Sequence, residues 1–301
     1  MFKSFLTFFL FLLLFSPAFA QNSWPDGSKL EGLRLVQRVE NIHVYTSENA
    51  QMDSLSLAYL LDAKSYFDGL FGLDFPVAIL FVSNAEWNSY AYYPPPGMPQ
   101  AWAGNIFLGS DKSIVAMQAE QQLKNLPQAQ LAELQSHFGE PLNLDLFYRH
   151  NVAIHELGHL YQFYEGFRGQ RRWLQEVFAT WAARAYQLQY QPKLAAATVA
   201  YARIGSGLHF PQIKHTSLDD FEALYLNGLG PQNYEWYQFQ LFKKVVQLHE
   251  KFGEKGLIDL REFLVQTDVR TTEKMEDLLL RKTLEEKLGE EMTEWLLIWE
   301  F

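Results

Sequence analysis

The hydrophobic pattern divides the chain into a first third with strands and a remainder with helices. "NIHVYTS" (41–47) alternates like a half-buried strand, and "FPVAILFVS" (75–83) is a continuous apolar run typical of a fully buried strand. Residues 52–72 have apolar positions at helical spacing and end at a glycine. A further short strand is predicted at 103–110. Because nearly everything after about residue 112 has helical spacing, we predict an α+β fold rather than alternating βαβ units.

The N-terminus has the pattern of a cleaved secretory signal. Lys3 precedes an apolar run at 5–15, and "SPAFA" then ends in an A-x-A cleavage site. The run is short for a membrane span, so we predict that residues 1–20 are a signal peptide and not a retained anchor. The mature protein is then expected to be secreted or periplasmic.

Composition limits what the rest of the chain can be. Residues 21–301 are 281 of the 301 in the chain, and 48% of the whole sequence is hydrophobic, which favours one domain with two lobes. We predict a small strand-containing lobe at about 21–165 and a helical lobe at about 166–301. The chain has no cysteine and a formal net charge of −10, which exclude thiolate chemistry and disfavour nucleic-acid partners. No second segment reaches membrane-spanning length, and the oligomeric state is not predicted.

Candidate chemistry is concentrated in "AIHELGHLYQFYEGFRGQRRWLQEVFATW" (153–181). On a helix, His155 and His159 lie about 40° apart around the axis and ~6 Å apart along it, so both imidazoles can reach one cation. Glu156 is the right neighbour to take a proton from a water at that cation without being a ligand itself. Gly158 costs the helix about 1 kcal/mol relative to alanine, so its position predicts close packing of another backbone.

Two glutamates compete to be the third ligand. Glu165 follows His159 by six residues. Position 162 is a glutamine and not a glycine that could end the helix and turn the chain, so we expect the helix to continue. On a continuing helix, Glu165 would lie ~9 Å beyond His159 along the axis, too far to share its cation. Glu176 follows a glycine-containing turn on a second helix, which an antiparallel arrangement would bring back to the histidines. We therefore predict His₂Glu ligation, which leaves a zinc coordination position open for catalysis. Thr180 is expected either to hydrogen-bond a ligating histidine or to bond its own backbone.

The segments "HELGH" and "WLQEVFATW" together resemble the gluzincin group of zinc metallopeptidases, and within it the peptidase MA-like family, related to thermolysin-like and aminopeptidase-like catalytic domains. The resemblance implies a zincin-like architecture, with a zinc ion (Zn²⁺) bound by His155, His159 and Glu176 and with Glu156 as general base. Val177 departs from the pattern, since a glycine often follows the ligand glutamate in this group.

The resemblance also implies an edge strand that aligns peptide substrates, and "AWAGNIFLG" (101–109) stands where that strand is expected. These residues contain no acid to bind a free amine, so an endopeptidase is favoured over an aminopeptidase. Family members use a tyrosine or histidine of the helical lobe to stabilise the oxyanion. Tyr237 fits the family spacing slightly better than Tyr234, and His209 and His215 are further candidates.

The sequence therefore predicts an exported zinc-dependent peptidase that acts on peptide or protein substrates through a metal-activated water, with Glu156 as general base. One alternative is an inactive, zinc-stabilised binding protein on a peptidase fold. Another is a zinc amidase that cleaves a non-peptide amide. The aromatic, proline-rich stretch "YAYYPPPGMPQAW" is expected to be irregular, and it either lines a substrate cleft or forms a self-packed surface loop.

Overall fold

The computed structural model describes residues 24–93, 95–164, 167–208, 213–225 and 228–299. A five-stranded sheet occupies the N-terminal side and helices follow it, so the predicted α+β class is confirmed. The strands in chain order are β1 (Arg34–Val39), β2 (Ile42–Thr46), β3 (Val77–Val82), β4 (Gln100–Trp102) and β5 (Asn105–Gly109).

The strands lie across the sheet in the order β1-β2-β3-β5-β4. β2, β3 and β5 are parallel, and the two edge strands β1 and β4 are antiparallel to their neighbours. Helix α1 (Ser54–Phe71) makes the crossover from β2 to β3, as parallel neighbours require. Of the segment 101–109, for which we predicted an edge strand, only Ala101 and Trp102 lie in the edge strand β4, whereas Asn105–Gly109 forms the interior strand β5.

The predicted strands form because their apolar pattern matches the faces that the sheet buries. Every residue of β3 is buried. Alternate residues starting from Val77 face the main core, and those starting from Ala78 face a smaller core on the opposite side of the sheet. β1, which the sequence analysis did not predict, is an edge strand with four exposed residues among its six, so it has no apolar alternation to detect.

The predicted helix at 52–72 is α1, and its ends follow local chemistry. The Asp53 side chain accepts a hydrogen bond from the backbone N–H of Leu55 at the start of the helix. Gly72 ends it in the left-handed conformation, with a φ of 63°. The tyrosine and phenylalanine positions on the buried side pack against the helices that carry the candidate chemistry.

Helical spacing after residue 112 also agrees with the structure. A π-helical segment, Phe147–Asn151, leads directly into the helix of the HELGH motif, and the longest helix is interrupted at Gly253, where φ is 58°. The helices besides α1 are α2 (Trp87–Tyr90), α3 (Ile114–Leu123), α4 (Gln128–Phe138), α5 (Val152–Phe163), α6 (Arg172–Tyr190), α7 (Pro192–Ser206), α8 (Leu218–Leu224), α9 (Pro231–Gln266), α10 (Asp277–Leu288) and α11 (Glu290–Leu297).

Helices α5 and α6 approach each other closely at Gly158. A Cβ atom at this position would lie 3.1 Å from the Cα and 3.2 Å from the carbonyl oxygen of Ala179, and 3.4 Å from the Cβ of Ala182. The close backbone contact predicted from Gly158 is therefore confirmed. It sets the separation of the two helices that carry the candidate ligands.

The fold does not test two of the sequence predictions, the signal peptide and the division into two lobes. Residues 1–20, predicted to be a signal peptide, lie outside the described residues. Within the described ranges, no helix combines the length and the apolar character that crossing a membrane requires. The division of 21–301 into lobes at about residue 165 stays a prediction.

Candidate metal centre

Helix α5 presents the two histidines of the HELGH motif on one face. Their ring centroids are 4.7 Å apart and the ring planes are perpendicular. His159 is 8% exposed, and the side chain of His155 is 13% exposed. The helix ends at Phe163, and Glu165, the alternative third ligand that we did not favour, lies outside the described residues.

Helix α6 brings Glu176 to the two imidazoles. Glu176 Oε2 lies 3.4 Å from His155 Nε2, and Glu176 Oε1 lies 3.7 Å from His159 Nε2. The candidate ligand atoms of the three residues all lie within 4.8 Å of one another, so this group can hold a metal ion. The convergence joins residues that are up to 21 positions apart in the chain, and the helix pair around Gly158 produces it.

The electrostatics of the three side chains suit a cation. Burial alone would raise the pKa of Glu176, but the hydrogen bond with His155 and the charges of both imidazoles lower it to about 2. Burial lowers the pKa of His159 to about 4, which keeps its ring neutral near pH 7. Burial opposes protonation of His155 as well, but the hydrogen bond with Glu176 and the charges of Glu176 and Glu156 outweigh it, so the pKa of His155 is instead raised. Metal ligation requires an ionised carboxylate and neutral imidazole nitrogens, so a cation bound here would take the place of the proton that these carboxylates attract to His155. The donor set therefore fits a divalent cation such as zinc.

Each histidine is oriented by a hydrogen bond at its other ring nitrogen. His155 Nδ1 lies 3.2 Å from the Thr180 hydroxyl oxygen, and His159 Nδ1 lies 3.2 Å from Gln162 Oε1. Since the amide oxygen of Gln162 only accepts, His159 Nδ1 donates, and its Nε2 lone pair is left to face Glu176. Of the two roles considered for Thr180, the structure favours the contact with the histidine. Such bonds fix ring orientation and tautomer in metal sites.

Glu176 is held by two donors that the sequence analysis did not find. The Tyr225 hydroxyl donates to Glu176 Oε1 at 2.7 Å, and Gln238 Nε2 donates to Glu176 Oε2 at 3.0 Å. Tyr225 directly follows α8 and Gln238 lies in α9, so each carboxylate oxygen takes one hydrogen bond from a residue in the C-terminal part of the chain. Gln238 adjoins the predicted Tyr237 in the sequence, but no motif or spacing marks Tyr225.

Glu156 faces the edge strand of the sheet. Its Oε2 accepts a hydrogen bond of 2.8 Å from the backbone N–H of Ala101 in β4. Burial raises its pKa to about 7; the charge of His155 opposes this rise, and the charge of Glu176 adds to it. A carboxyl group with this pKa can both accept and release a proton near neutral pH. The edge strand and the residue predicted to be the general base are thus in direct contact.

Of the two tyrosines predicted for the oxyanion role, only Tyr234 lies near the cluster. Its ring centroid is 5.9 Å from that of Tyr225, and its pKa is raised by burial and by the charges of Glu176 and Glu156. The Tyr237 hydroxyl instead donates to the carbonyl of Ser217 at 2.7 Å. These contacts favour Tyr234 over Tyr237, whose side chain is fully buried and bonded elsewhere, and the oxyanion role of a tyrosine stays a prediction.

The two histidines considered for the same role are not brought to the cluster. His209 lies outside the described residues. His215 is half-buried, with Nδ1 3.5 Å from Asp220 Oδ2, and its backbone carbonyl accepts a hydrogen bond from Asn233. His215 thus takes part in the loop before α8, and none of its described contacts involves the candidate ligands.

The aromatic, proline-rich stretch is tied to the edge strand. The backbone N–H groups of Tyr92 and Tyr93 donate to Gln100 Oε1 at 2.7 and 2.9 Å, and Gln100 Nε2 donates back to the carbonyl of Tyr93. The side chain of Tyr93 is 53% exposed. Through Gln100, which opens β4, this loop borders the same strand that contacts Glu156.

The arrangement can bind a cation with two imidazoles and one carboxylate, and it holds a carboxyl group with a near-neutral pKa beside that cation site. The carboxyl group contacts an edge strand of the sheet, where an extended chain can add as a further strand. A cation site next to a group that can accept and release a proton is chemically able to support metal-assisted hydrolysis. Family models, curated proteins and solved structures were all compared with the chain, and none of them matches it.

Proposed function

We propose that the protein is a zinc-dependent peptidase. The observation that carries the proposal is the convergence of His155, His159 and Glu176 on one point, with the neighbouring Glu156 hydrogen-bonded to the edge strand β4. A purely structural metal site has no use for an additional carboxyl group whose pKa lies near 7. The HELGH and WLQEVFATW segments, which resemble those of gluzincin peptidases, support the same function and a zincin-like architecture.

His155, His159 and Glu176 would hold the zinc ion, which when bound would polarise a substrate carbonyl and lower the pKa of water. Glu156 would accept the proton of the attacking water and pass it to the leaving amine. Its contact with Ala101 keeps the carboxyl group at the strand on which a peptide would lie. Tyr234 stays protonated, because burial and two nearby carboxylates raise its pKa, and would donate a hydrogen bond to the developing oxyanion.

The proposal also covers export of the protein and cleavage of its N-terminal segment. We propose that residues 1–20 direct export and are then removed, on the strength of the apolar run and the A-x-A site. The mature chain purified from the medium or periplasm should then begin at Gln21, which N-terminal sequencing would establish. Retention of the native N-terminus in a cytoplasmic protein would refute export without affecting the peptidase assignment.

The decisive experiment compares the wild-type chain with Glu156→Gln and His155→Ala. We expect one zinc ion per wild-type and Glu156→Gln chain by elemental analysis, and none in His155→Ala. Peptide-library digestion by the wild type should stop when a chelator is added, and Glu156→Gln should lower the rate by at least about 100-fold. Full zinc occupancy in His155→Ala would refute the ligand assignment.

Two other results would redirect the proposal. A wild-type chain that binds zinc but cleaves no peptide in the library would favour the inactive binding protein predicted as an alternative. Cleavage of peptidoglycan amide bonds, with no cleavage of peptides, would favour the amidase. The same purified protein and the same chelator control serve both measurements.

A further inference from the structure

Arg172 lies at the first position of α6, one turn before Glu176, and its guanidinium group has an unusual environment. The side chain is half-buried, and its Cζ lies 5.1 Å from the centroid of the Tyr225 ring. No carboxylate pairs with this guanidinium within the described part of the chain. The preceding Arg171 differs, since its Nη2 lies 2.6 Å from Asp277 Oδ1.

The acid that contacts Arg172 is already engaged. Glu222 Oε2 accepts a hydrogen bond of 2.6 Å from the backbone N–H of Arg172. Glu222 Oε1 lies 3.3 Å from the ammonium of Lys274. The carboxylate thus caps the start of α6 and pairs with the lysine. Stacking on a tyrosine ring partly offsets the desolvation of a cation, but it does not satisfy the five N–H donors of a guanidinium group.

One contact places Arg172 at the border of the candidate centre. The Tyr225 ring beneath the guanidinium carries the hydroxyl that donates to Glu176. The positive charge of Arg172 also acts on Tyr93, where it opposes the rise in pKa that partial desolvation of the hydroxyl causes. Tyr93 is hydrogen-bonded to Gln100 at the start of the edge strand. The guanidinium therefore lies beside the tyrosine that holds Glu176, and its charge reaches the loop that leads into the strand expected to align substrate.

We propose that Arg172 binds a substrate carboxylate close to the cleaved bond, so that the enzyme prefers acidic peptides. This inference rests on the proposed peptidase function. The carboxylate belongs either to an Asp or Glu side chain or to the free C-terminus of a short peptide. A planar guanidinium group pairs with a carboxylate through two parallel hydrogen bonds, and this pairing discriminates strongly against the uncharged amide.

The first experiment measures a preference rather than a rate. An N-acetylated peptide library is digested by the zinc-loaded wild type, and the cleaved bonds are mapped by mass spectrometry. Peptides from this set are then synthesised in pairs, Asp or Glu against Asn or Gln, and free C-terminal acid against amide. We expect an acid-to-amide ratio of kcat/KM of about 10 to 100 for one of the two kinds of pair, mostly through KM.

The variant Arg172→Gln should reduce that ratio to near one. Comparing ratios removes any general effect that loss of the stacked side chain has on Tyr225 and Glu176, and the zinc content is measured in each sample. Arg38→Gln is the matched control, because it removes the same charge from an exposed position on β1 at the opposite edge of the sheet. It should leave the ratio unchanged. Equal ratios in the wild type and Arg172→Gln would overturn the proposal.

A binding measurement separates this proposal from the peptidase assignment. Zinc-loaded Glu156→Gln, with and without Arg172→Gln, is titrated with fluorescein-labelled decapeptide pools rich in Asp and Glu or in Asn and Gln, and anisotropy is recorded. Tighter binding of the acidic pool that disappears with Arg172→Gln supports carboxylate recognition, even if the wild type cleaves nothing. Equal binding of the two pools by the Arg172-containing protein contradicts it.

Discussion

The two sides of the candidate centre are built in different ways. On one side, α5 and α6 supply His155, His159 and Glu176 from regular helices that pack closely together. On the other, the donors that hold the carboxylate are Tyr225 and Gln238, which are 49 and 62 residues distant from Glu176 in the chain. The first side supplies the ligand atoms, and the second fixes the orientation of the Glu176 carboxylate. Ligand identity thus follows from helical periodicity, whereas ligand orientation depends on the packing of distant segments.

We expect the largest effect on zinc binding when the first side loses a ligand. Glu176→Ala removes the only carboxylate of the cluster and leaves two imidazoles, which should abolish stoichiometric zinc binding. Zinc content after gel filtration measures this. Normal zinc content in Glu176→Ala would mean that another residue completes the site.

A substitution on the second side should weaken zinc binding less than the loss of a ligand does. Tyr225→Phe removes the hydroxyl that donates to Glu176 Oε1, and metal affinity should fall about 10- to 100-fold, the usual effect of losing such a partner. Competition with a chromophoric chelator measures the affinity. Tyr237→Phe is the matched control, because its hydroxyl donates to the Ser217 carbonyl instead. Equal losses in both variants would show that the effect is not specific to the ligand.

The separation of α5 and α6 is tested by Gly158→Ala. The new Cβ would lie 3.1 Å from Ala179 Cα, so the helices must move apart, and we expect the free energy of unfolding to fall by about 1–2 kcal/mol. Urea denaturation measures it. Gly69→Ala, also in a helix, meets no atom within 4 Å and should stabilise by up to about 1 kcal/mol. Stabilisation in both variants would contradict the close contact.

The smallest effect is expected from Gln162→Met. Zinc affinity should fall about 10-fold, because His159 Nδ1 loses its hydrogen-bond acceptor. Stability should change little, since Gln162 is buried and its Nε2 has no hydrogen-bond partner among the described residues. Chelator competition and urea denaturation on the same sample separate the two quantities. A large loss of stability with unchanged zinc affinity would assign Gln162 to the core instead.

The sequence was most informative where a feature depends on residues that are close together in the chain. The spacing of His155 and His159, the position of Gly158 and the strand pattern of β3 each predicted a feature that the structure contains. It was weaker where several side chains of one type compete. Tyr234 and Tyr237 lie less than one turn apart on α9, yet one points towards the cluster and the other into the core. Helical spacing does not decide which face of α9 meets α6.

By itself, the sequence determined the α+β arrangement and the pair of histidines, because periods of 2 and 3.6 residues are local properties of strands and helices. It also singled out Glu176, but only on the assumption that the second helix returns antiparallel to the first. The tertiary structure decided the contacts of Glu156 with β4, of Tyr225 with Glu176, and of Arg172 with the Tyr225 ring. Those contacts depend on how distant elements bury their apolar faces together, and residue spacing along the chain carries no record of that packing.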